Sequence, residues 1–448
     1  MTITENSRWQ IGFISLGCAK NQVDTEIMIG KLKQAGYKIT SHIESANIII
    51  INTCGFIEDA REEAINTIIQ TGERKETGQL KYLIAAGCLA QRYGRELLDE
   101  MPELDGVVGI SSFILIDRII SSVVQGERIC QVEKPPQIFI EKGPRVLTTP
   151  PGSAYLKITE GCNNRCAYCA IPQIRGQLRS RPQEELLKEA EELVKKGTKE
   201  LVLIGQDTAL YAKDLAKGDN LSSLIEKLST IDGLKWIRLM YLHPAHIDRQ
   251  LIEAIVQAPK VLPYLDIPVQ HAADPVLKAM NRQHVSSDLT RLVNRLKEAI
   301  PDLVLRTTVM LGFPGETEED FAELFGFVAE TEFDWLGAFA FTPEEGTLAY
   351  DLPNQIPDEV KQERLDAIMK LQKSITRQKN KQRLQQNYDV LISSRLSPNL
   401  YMGRAYFQAP QVDGVTIVRS EHRLHKGEFV KVNLKAIRDY DVIGESIE

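Results

Sequence analysis

No stretch of the 448 residues approaches the ~18 consecutive apolar residues of a membrane span. The first ten residues, Glu5 and Arg8 among them, lack the apolar core of a secretion signal. Positive charge is also short, since 54 Lys and Arg stand against 61 Asp and Glu, a formal net charge of −7. That balance argues against a protein that coats nucleic acid without regard to sequence, although a local basic patch stays open. Cysteines number only seven, and an odd count in a long acidic chain without a secretion signal does not make a disulfide framework. What is present is ordinary for a globular protein able to bury real cores: 43% hydrophobic and 26% charged residues. At ~150 residues per domain the length suggests about three domains. A cytoplasmic enzyme with no membrane partner is expected, and nothing demands an oligomer.

The cysteines have different contexts. Ile11–Gly17 leads into Cys18, Asn47–Thr53 into Cys54, and Tyr82–Gly87 into Cys88. The spacings of 36 and 34 residues each suit one βαβ unit. Helical periodicity follows over Gln22–Ala35 and Ile57–Gln70. Such alternation builds a parallel sheet flanked by helices, whose strands all end at one edge. One strand-end cysteine is ordinary packing. Three in the same relative position are a ligand set. Cys130 belongs to neither group and reads as a small core or surface residue.

Gln131–Gly152 carries Pro135-Pro136, Pro144 and Pro150-Pro151 and reads as an interdomain linker. Strand-like runs follow at Ala154–Thr159, Glu200–Ile204, Trp236–Leu242, Tyr264–Val269, Val304–Leu311 and Trp335–Phe341, separated by helical stretches. This predicts a parallel six-fold βα barrel, complete or open, with its chemistry at the C-terminal strand ends. A charged amphipathic helix is expected from Pro357 to about Gln386, its Lys and Arg lying on a solvated face. Short strands at Tyr388–Ser393, Gly403–Phe407, Gly414–Ser420 and Glu428–Ala436 predict a small terminal β-barrel that leans on its neighbour. The expected architecture is thus α/β. An N-terminal parallel α/β domain (1–135) precedes a central partial barrel with its linker helix (148–382) and an OB-like barrel (383–448).

Cys162, Cys166 and Cys169 follow the first barrel strand as Cys-x3-Cys-x2-Cys. Three thiolates can hold three irons of a 4Fe–4S cube and leave the fourth open to chelate a substrate or cofactor, whereas electron-transfer clusters usually have a complete thiolate set. Structural zinc is the competing reading, but it normally closes a tetrahedron with a second Cys or His pair, and none lies nearby.

This pattern after the first strand of a six-fold βα barrel resembles the radical S-adenosylmethionine enzymes. The N-terminal three-cysteine domain and a C-terminal TRAM barrel narrow the resemblance, over essentially the whole chain, to the methylthiotransferases. Ser15-Leu-Gly-Cys-Ala-Lys-Asn-Gln-Val-Asp24, Asn52-Thr-Cys-Gly-Phe-Ile57, Lys157-Ile-Thr-Glu-Gly-Cys162, Tyr264-Leu-Asp-Ile-Pro-Val-Gln-His271, Gly312-Phe-Pro-Gly-Glu316 and Gly403-Arg-Ala-Tyr-Phe-Gln-Ala-Pro-Gln-Val-Asp-Gly414 resemble the branch that modifies ribosomal protein S-twelve. The branch that modifies a tRNA adenosine typically has Gly-Cys-Gln-Met-Asn and Asn-Thr-Cys-Ser, which are absent here.

The resemblance implies methylthiolation of an aspartate of small-subunit ribosomal protein S-twelve, free or in the ribosome, at its β-carbon. It implies two 4Fe–4S clusters and S-adenosyl-L-methionine. Cys162, Cys166 and Cys169 would hold the radical-generating cluster; Cys18, Cys54 and Cys88 would hold an auxiliary cluster carrying the sulfur. One S-adenosylmethionine would methylate that sulfur and a second would supply the hydrogen-abstracting radical, with electrons from a donor such as flavodoxin or ferredoxin. The chemistry makes physical sense, because an unactivated C–H bond offers nothing to a general base or nucleophile. It needs a site sealed from water, which a barrel mouth covered by both flanking domains would provide. A tRNA methylthiotransferase and a non-catalytic iron–sulfur protein binding RNA or the ribosome are the alternatives.

Other candidates are balanced against structural roles. Gly205, Gln206 and Asp207 end the second barrel strand, where they would approach the cofactor; an ordinary turn is as good a reading. Gly312 would line the same pocket at the fifth strand end, and Arg306 would neutralise a carboxylate of cofactor or substrate; turn punctuation and an ion pair compete. His243 and His271 read as packing histidines. The terminal barrel has nine Lys or Arg against eight Asp or Glu from residue 383 onward, which weakens an RNA-binding role and suits docking of a basic ribosomal protein.

Overall fold

The structure, a computed structural model, describes residues 6–216 and 218–447. Three sheets organise it. The first is parallel, its strands Gln10–Ser15, Lys38–Thr40, Ile48–Thr53, Tyr82–Gly87, Gly106–Val108 and Ile129–Gln131 arranged in the spatial order second, first, third, fourth, fifth, sixth. Ile48–Thr53 is buried along its whole length, as a central parallel strand covered on both faces must be. The helices after the first two cysteines span Ala19–Gln34 and Glu58–Gly72, so the first begins three residues before the expected start, directly at Cys18.

The second sheet is also parallel, with Ser153–Lys157, Glu200–Ile204, Trp236–Leu239, Val261–Asp266, Val304–Leu311 and Trp335–Ala340 side by side in chain order. The first and last strands do not pair, so the barrel is open. Its outer face packs on helices Gln183–Lys195, Leu221–Ser229, Arg249–Gln257, Ser286–Ala299 and Glu318–Thr331. The fourth strand lies three residues earlier than expected, because Pro263 sits inside it and the apparent run to Val269 is the exit loop through Pro268. Proline is normally read as the boundary of a strand rather than a member.

The third sheet is a closed barrel of Asn387–Ser397, Leu400–Arg404, Thr416–Arg419, Phe429–Arg438 and Asp441–Ser446. It does lean on its neighbour, and it does so through the inner face of the open barrel. Trp335 Nε1 donates to the Phe407 carbonyl at 2.6 Å, Tyr264 OH to Asp413 at 2.7 Å, and Arg238 to the Tyr406 carbonyl at 2.7 Å. Fully buried Glu200 accepts from Arg238 at 3.0 Å and from Arg404 at 2.5 Å. Trp335 and Glu200 are the first residues of their strands. The terminal domain therefore plugs the barrel from the edge opposite the cysteines, which corrects the expectation that it covers the mouth.

The linker carries no regular element over 132–152 but is fastened: Arg145 bridges Glu26 of the first helix and Glu189 of Gln183–Lys195, each at 2.5 Å. Nor is the basic face of helix Asp358–Gln382 wholly solvated. Lys361 and Arg364 are buried, Arg364 pairing with Glu316 at 2.7 Å and with Glu318 at 2.5 Å, and Arg383 just beyond the helix pairs with Asp334. No helix among the described residues is long and apolar enough to cross a membrane.

Candidate functional site

All six clustered cysteines line one cavity of about 320 Å³ between the N-terminal sheet and the C-terminal edge of the open barrel. Local backbone sets each trio. Cys18 caps helix Ala19–Gln34 and Cys88 is the first residue of helix Cys88–Glu100, so both sit at helix N-termini, where dipole and free N–H groups favour an anionic sulfur. Gly17, at φ +86°, lets the chain turn there; a Cβ on it would come 2.9 Å from Cys54 Cβ.

The second trio rides on a loop pinned by a two-residue antiparallel pair, Thr159–Glu160 against Arg179–Ser180. Gly161 turns into this loop at φ +71°, and a Cβ there would lie 2.1 Å from the Gln177 carbonyl oxygen. The Asn164 amide donates toward Cys162 Sγ at 3.4 Å, and Arg282 toward Cys166 Sγ at 3.7 Å. The loop is gripped from outside as well: Ala167 N–H donates to Met280 O at 2.9 Å, and Asn281 Nδ2 to Arg165 O at 2.6 Å.

The sulfur spacing separates cluster from single metal. Among the described residues, the group of three or more Cys, His, Asp or Glu whose ligand atoms fall within 4.8 Å of one another is Asp207, His243 and His246, and neither cysteine trio qualifies. Tetrahedral zinc with Zn–S near 2.3 Å needs sulfurs about 3.8 Å apart. Neither trio closes to that spacing, and each offers three thiol donors, the number that leaves one iron of a cube without a cysteine.

A buried charge network joins the two halves. Lys157 donates to Asp24 at 2.5 Å and to Glu160 at 2.9 Å. Arg175 donates to Glu160 at 2.6 Å, to Asn21 Oδ1 at 2.6 Å and to Cys88 Sγ at 3.2 Å, with Asp24 at 3.5 Å. All four charged side chains are at most 3% exposed. Two cations and two anions make the set neutral, the condition for burying charge at tolerable expense. Burial would raise Glu160, but Arg175 and Lys157 together outweigh it and hold its carboxyl well below the usual range. Burial wins at Asp24 and raises it despite Lys157 and Arg175.

The thiols respond to the same surroundings. Burial pushes Cys88 up to about 12 and Cys162 up to about 11. Cys18 is lowered, since Lys20 and Arg175 outweigh its burial. Metal binding to the raised thiols therefore has to release their protons.

The remaining candidates separate. Gln206 and Asp207 line the cavity; Gly205, Arg306 and Gly312 do not. Gln206 Nε2 donates to Glu160 at 2.7 Å. Asp207 accepts from Asn164 Nδ2 at 2.8 Å and pairs with His246 Nδ1 at 2.7 Å, so its carboxylate steadies the cysteine loop. Arg306 does not line the cavity; it is held inside the barrel by Asp266 at 2.9 Å and, across the domain boundary, by Asp413 at 3.4 Å. The Gly312 amide is taken by Glu316 at 2.7 Å, closing its own turn. His243 lines the cavity, whereas His271 is fully buried beside Glu316. Cys130 lies outside the cavity and packs with the core of the first sheet. Sequence reasoning missed Lys20, Asp24, Lys157, Glu160, Arg175, Tyr241 and Arg282 as site residues, although four of them lie inside the motifs quoted for the family.

Comparison with known proteins agrees with this geometry. Residues 156–328 match the Radical SAM superfamily, 10–109 the uncharacterized protein family UPF0004, and 386–447 the TRAM domain. The ribosomal protein uS12 methylthiotransferase RimO of Syntrophomonas wolfei is 58% identical over 97% of this chain and 99% of its own. The protein of the same name from Clostridioides difficile is 46% identical over 97% and 98%. Among solved structures, the radical S-adenosylmethionine methyltransferase TsrM from Kitasatospora setae, with cobalamin and a 4Fe–4S cluster bound, superposes with TM-score 0.56 at 13% identity. It covers 76% of this chain and 77% of that one, a likeness of fold.

Proposed function

This chain belongs to the family of ribosomal protein uS12 methylthiotransferases, and we infer that it is a radical S-adenosylmethionine enzyme that methylthiolates uS12. It uses a 4Fe–4S cluster and S-adenosyl-L-methionine. The observation that carries the mechanism is the convergence of six cysteines on one cavity. We assign Cys162, Cys166 and Cys169 to the radical-generating cluster and Cys18, Cys54 and Cys88 to an auxiliary cluster. The target is an aspartate, modified at its β-carbon. When bound, the clusters and S-adenosylmethionine supply the radical and the methylthio group.

The protein's own part is to hold and isolate. Asn164 aims an N–H at Cys162 Sγ, Arg282 one at Cys166 Sγ and Arg175 one at Cys88 Sγ, contacts that would tune the electron density of the clusters these thiolates would hold. The neutral Asp24–Lys157–Glu160–Arg175 set keeps the N-terminal domain seated over the barrel edge, which keeps water and stray hydrogen donors from the reacting carbon. We place the work in the cytoplasm, on uS12 free or in the ribosome, by a single chain with a flavodoxin- or ferredoxin-type donor.

The alternatives are not favoured. The relatives carry the uS12 name, and Arg404 of the terminal barrel turns inward to Glu200 instead of facing an RNA. The test is expression in a bacterium lacking its own uS12 methylthiotransferase, followed by mass spectrometry of uS12. The expected gain is one methylthio group on one aspartate. A methylthio-adenosine in tRNA with unmodified uS12 would overturn the assignment.

A further inference from the structure

Three cations line the cysteine cavity, and they are not equivalent. Arg175 is committed to Glu160, Asn21 and Cys88. Arg282 donates to the Pro268 carbonyl at 2.7 Å and leans on Cys166. Lys20 differs. Among the described residues its ammonium has no carboxylate or carbonyl partner, and its close contact is the face of Tyr241, 3.7 Å from the ring centroid.

The arrangement is built. Lys20 lies in the first turn of helix Ala19–Gln34, two residues after Cys18, and reaches from the N-terminal domain to a ring supplied by the barrel. Tyr241 stands just past the third barrel strand at φ +60°, a left-handed conformation that a tyrosine adopts only under local constraint, and its amide is held by Asp266 at 3.1 Å. An aromatic face stabilises a cation without satisfying its hydrogen bonds. The ammonium therefore sits in a partly desolvated chamber with no carboxylate within ion-pair distance among the described residues, a state that an arriving carboxylate relieves.

We propose that Lys20, seated on Tyr241, is the specificity residue that binds the side-chain carboxylate of the target aspartate. This rests on the reading above that the target is an aspartate. The carboxylate is the one anion such a substrate brings to the reacting β-carbon, and N⁺–H···O⁻ bonds are the strong, short class. Lys20 thus fixes the β-carbon one bond away and rejects a carboxamide, which would leave the ammonium without its counter-ion.

The test measures anaerobic binding of uS12, and of uS12 with the target Asp replaced by Asn, to the cluster-loaded enzyme and to its Lys20→Met and Lys20→Arg variants. Matched iron content and matched S-adenosylmethionine affinity are verified in each. The parent is expected to prefer Asp over Asn by about tenfold to a hundredfold, the range of a charge-assisted bond. Lys20→Met loses that preference and binds both at the Asn level, while Lys20→Arg keeps a preference. Persistence of the preference in Lys20→Met, or its absence in the parent, overturns the proposal. So does a Lys20→Met variant whose S-adenosylmethionine affinity falls instead, which would give the cation to the cofactor. If the parent leaves uS12 unmodified on turnover, it is the reading of the substrate that has failed, not the role of Lys20.

Discussion

Replacing Arg175 by Gln removes one cation from a buried set of four charges. Asp24 and Glu160 then share Lys157 alone, and the remainder carries one uncompensated negative charge at positions no more than 3% exposed. Breaking a buried pair by deleting one partner costs about 3–5 kcal/mol. The lower end applies here, because burial already raises the Asp24 carboxyl and a proton arriving there caps the penalty. Asp24→Asn alone leaves a surplus positive charge. The double variant leaves Lys157 facing Glu160, a neutral pair 2.9 Å apart. The electrostatic account therefore predicts a double variant no worse than Arg175→Gln, with a coupling of about 1–3 kcal/mol. A count of lost hydrogen bonds predicts the reverse, with the double variant worst. Because three domains need not unfold together, the assay is hydrogen exchange of the helix Ala19–Gln34, which reads local opening directly. About 3 kcal/mol is roughly a hundredfold loss of protection in Arg175→Gln, with helix Leu221–Ser229 unchanged as the control. Additive single effects, or less than a tenfold loss in the single variant, would refute the reasoning.

Two further expectations follow from other parts of the molecule. Cys166→Ala abolishes reductive cleavage of S-adenosylmethionine, whereas Cys54→Ala keeps cleavage and loses methylthio transfer; chromatography of the nucleoside product and the mass of uS12 read the two, and normal cleavage by both would reverse the cluster assignment. Glu200, pulled down to about 2 because Arg404 and Arg238 outweigh its burial, contributes on the order of 3 kcal/mol at neutral pH. The unfolded carboxyl takes its proton near pH 4.5 and the folded one near 2, so the contribution is complete above 4.5 and lost as pH falls toward 2. Glu200→Gln should melt well below the parent at pH 7 and nearly level with it at pH 2; an equal gap at both pH values contradicts the shift.

The repeating units were readable because each carries its own local signal. A strand-length apolar run, a glycine and a cysteine recur at Gly17-Cys18 and Gly87-Cys88, and the parallel order of both large sheets follows from the βα alternation. Cysteine spacing was legible for the same reason, being a property of eight consecutive residues. Arg175 had no such mark. Its partners Asn21 and Cys88 lie 154 and 87 residues away, so its role exists only after two domains have docked. Arg306 shows the converse error. A strand arginine near a carboxylate was foreseeable, but its second carboxylate partner is Asp413, a residue of the terminal domain 107 positions further on. The direction from which that domain packs was written in Tyr264, Arg238 and Arg404, whose polar atoms meet only in three dimensions.

An open six-stranded sheet creates a problem that the flanking domains solve from opposite sides. Helices cover its outer face, but the concave face carries Glu200, Arg238, Asp266 and Arg306, which water would otherwise reach through the gap between the first and last strands. The terminal barrel enters from below and pairs these charges with Arg404 and Asp413. The N-terminal domain closes the other edge and pairs Lys157, Glu160 and Arg175 with Asp24. These interior charges are thereby matched within the protein, and matched charges attract no substrate. A reaction chamber assembled this way has its specificity where matching was left undone. Lys20 meets that condition, a cation on an aromatic face, carried by one domain and presented to the other across six sulfurs.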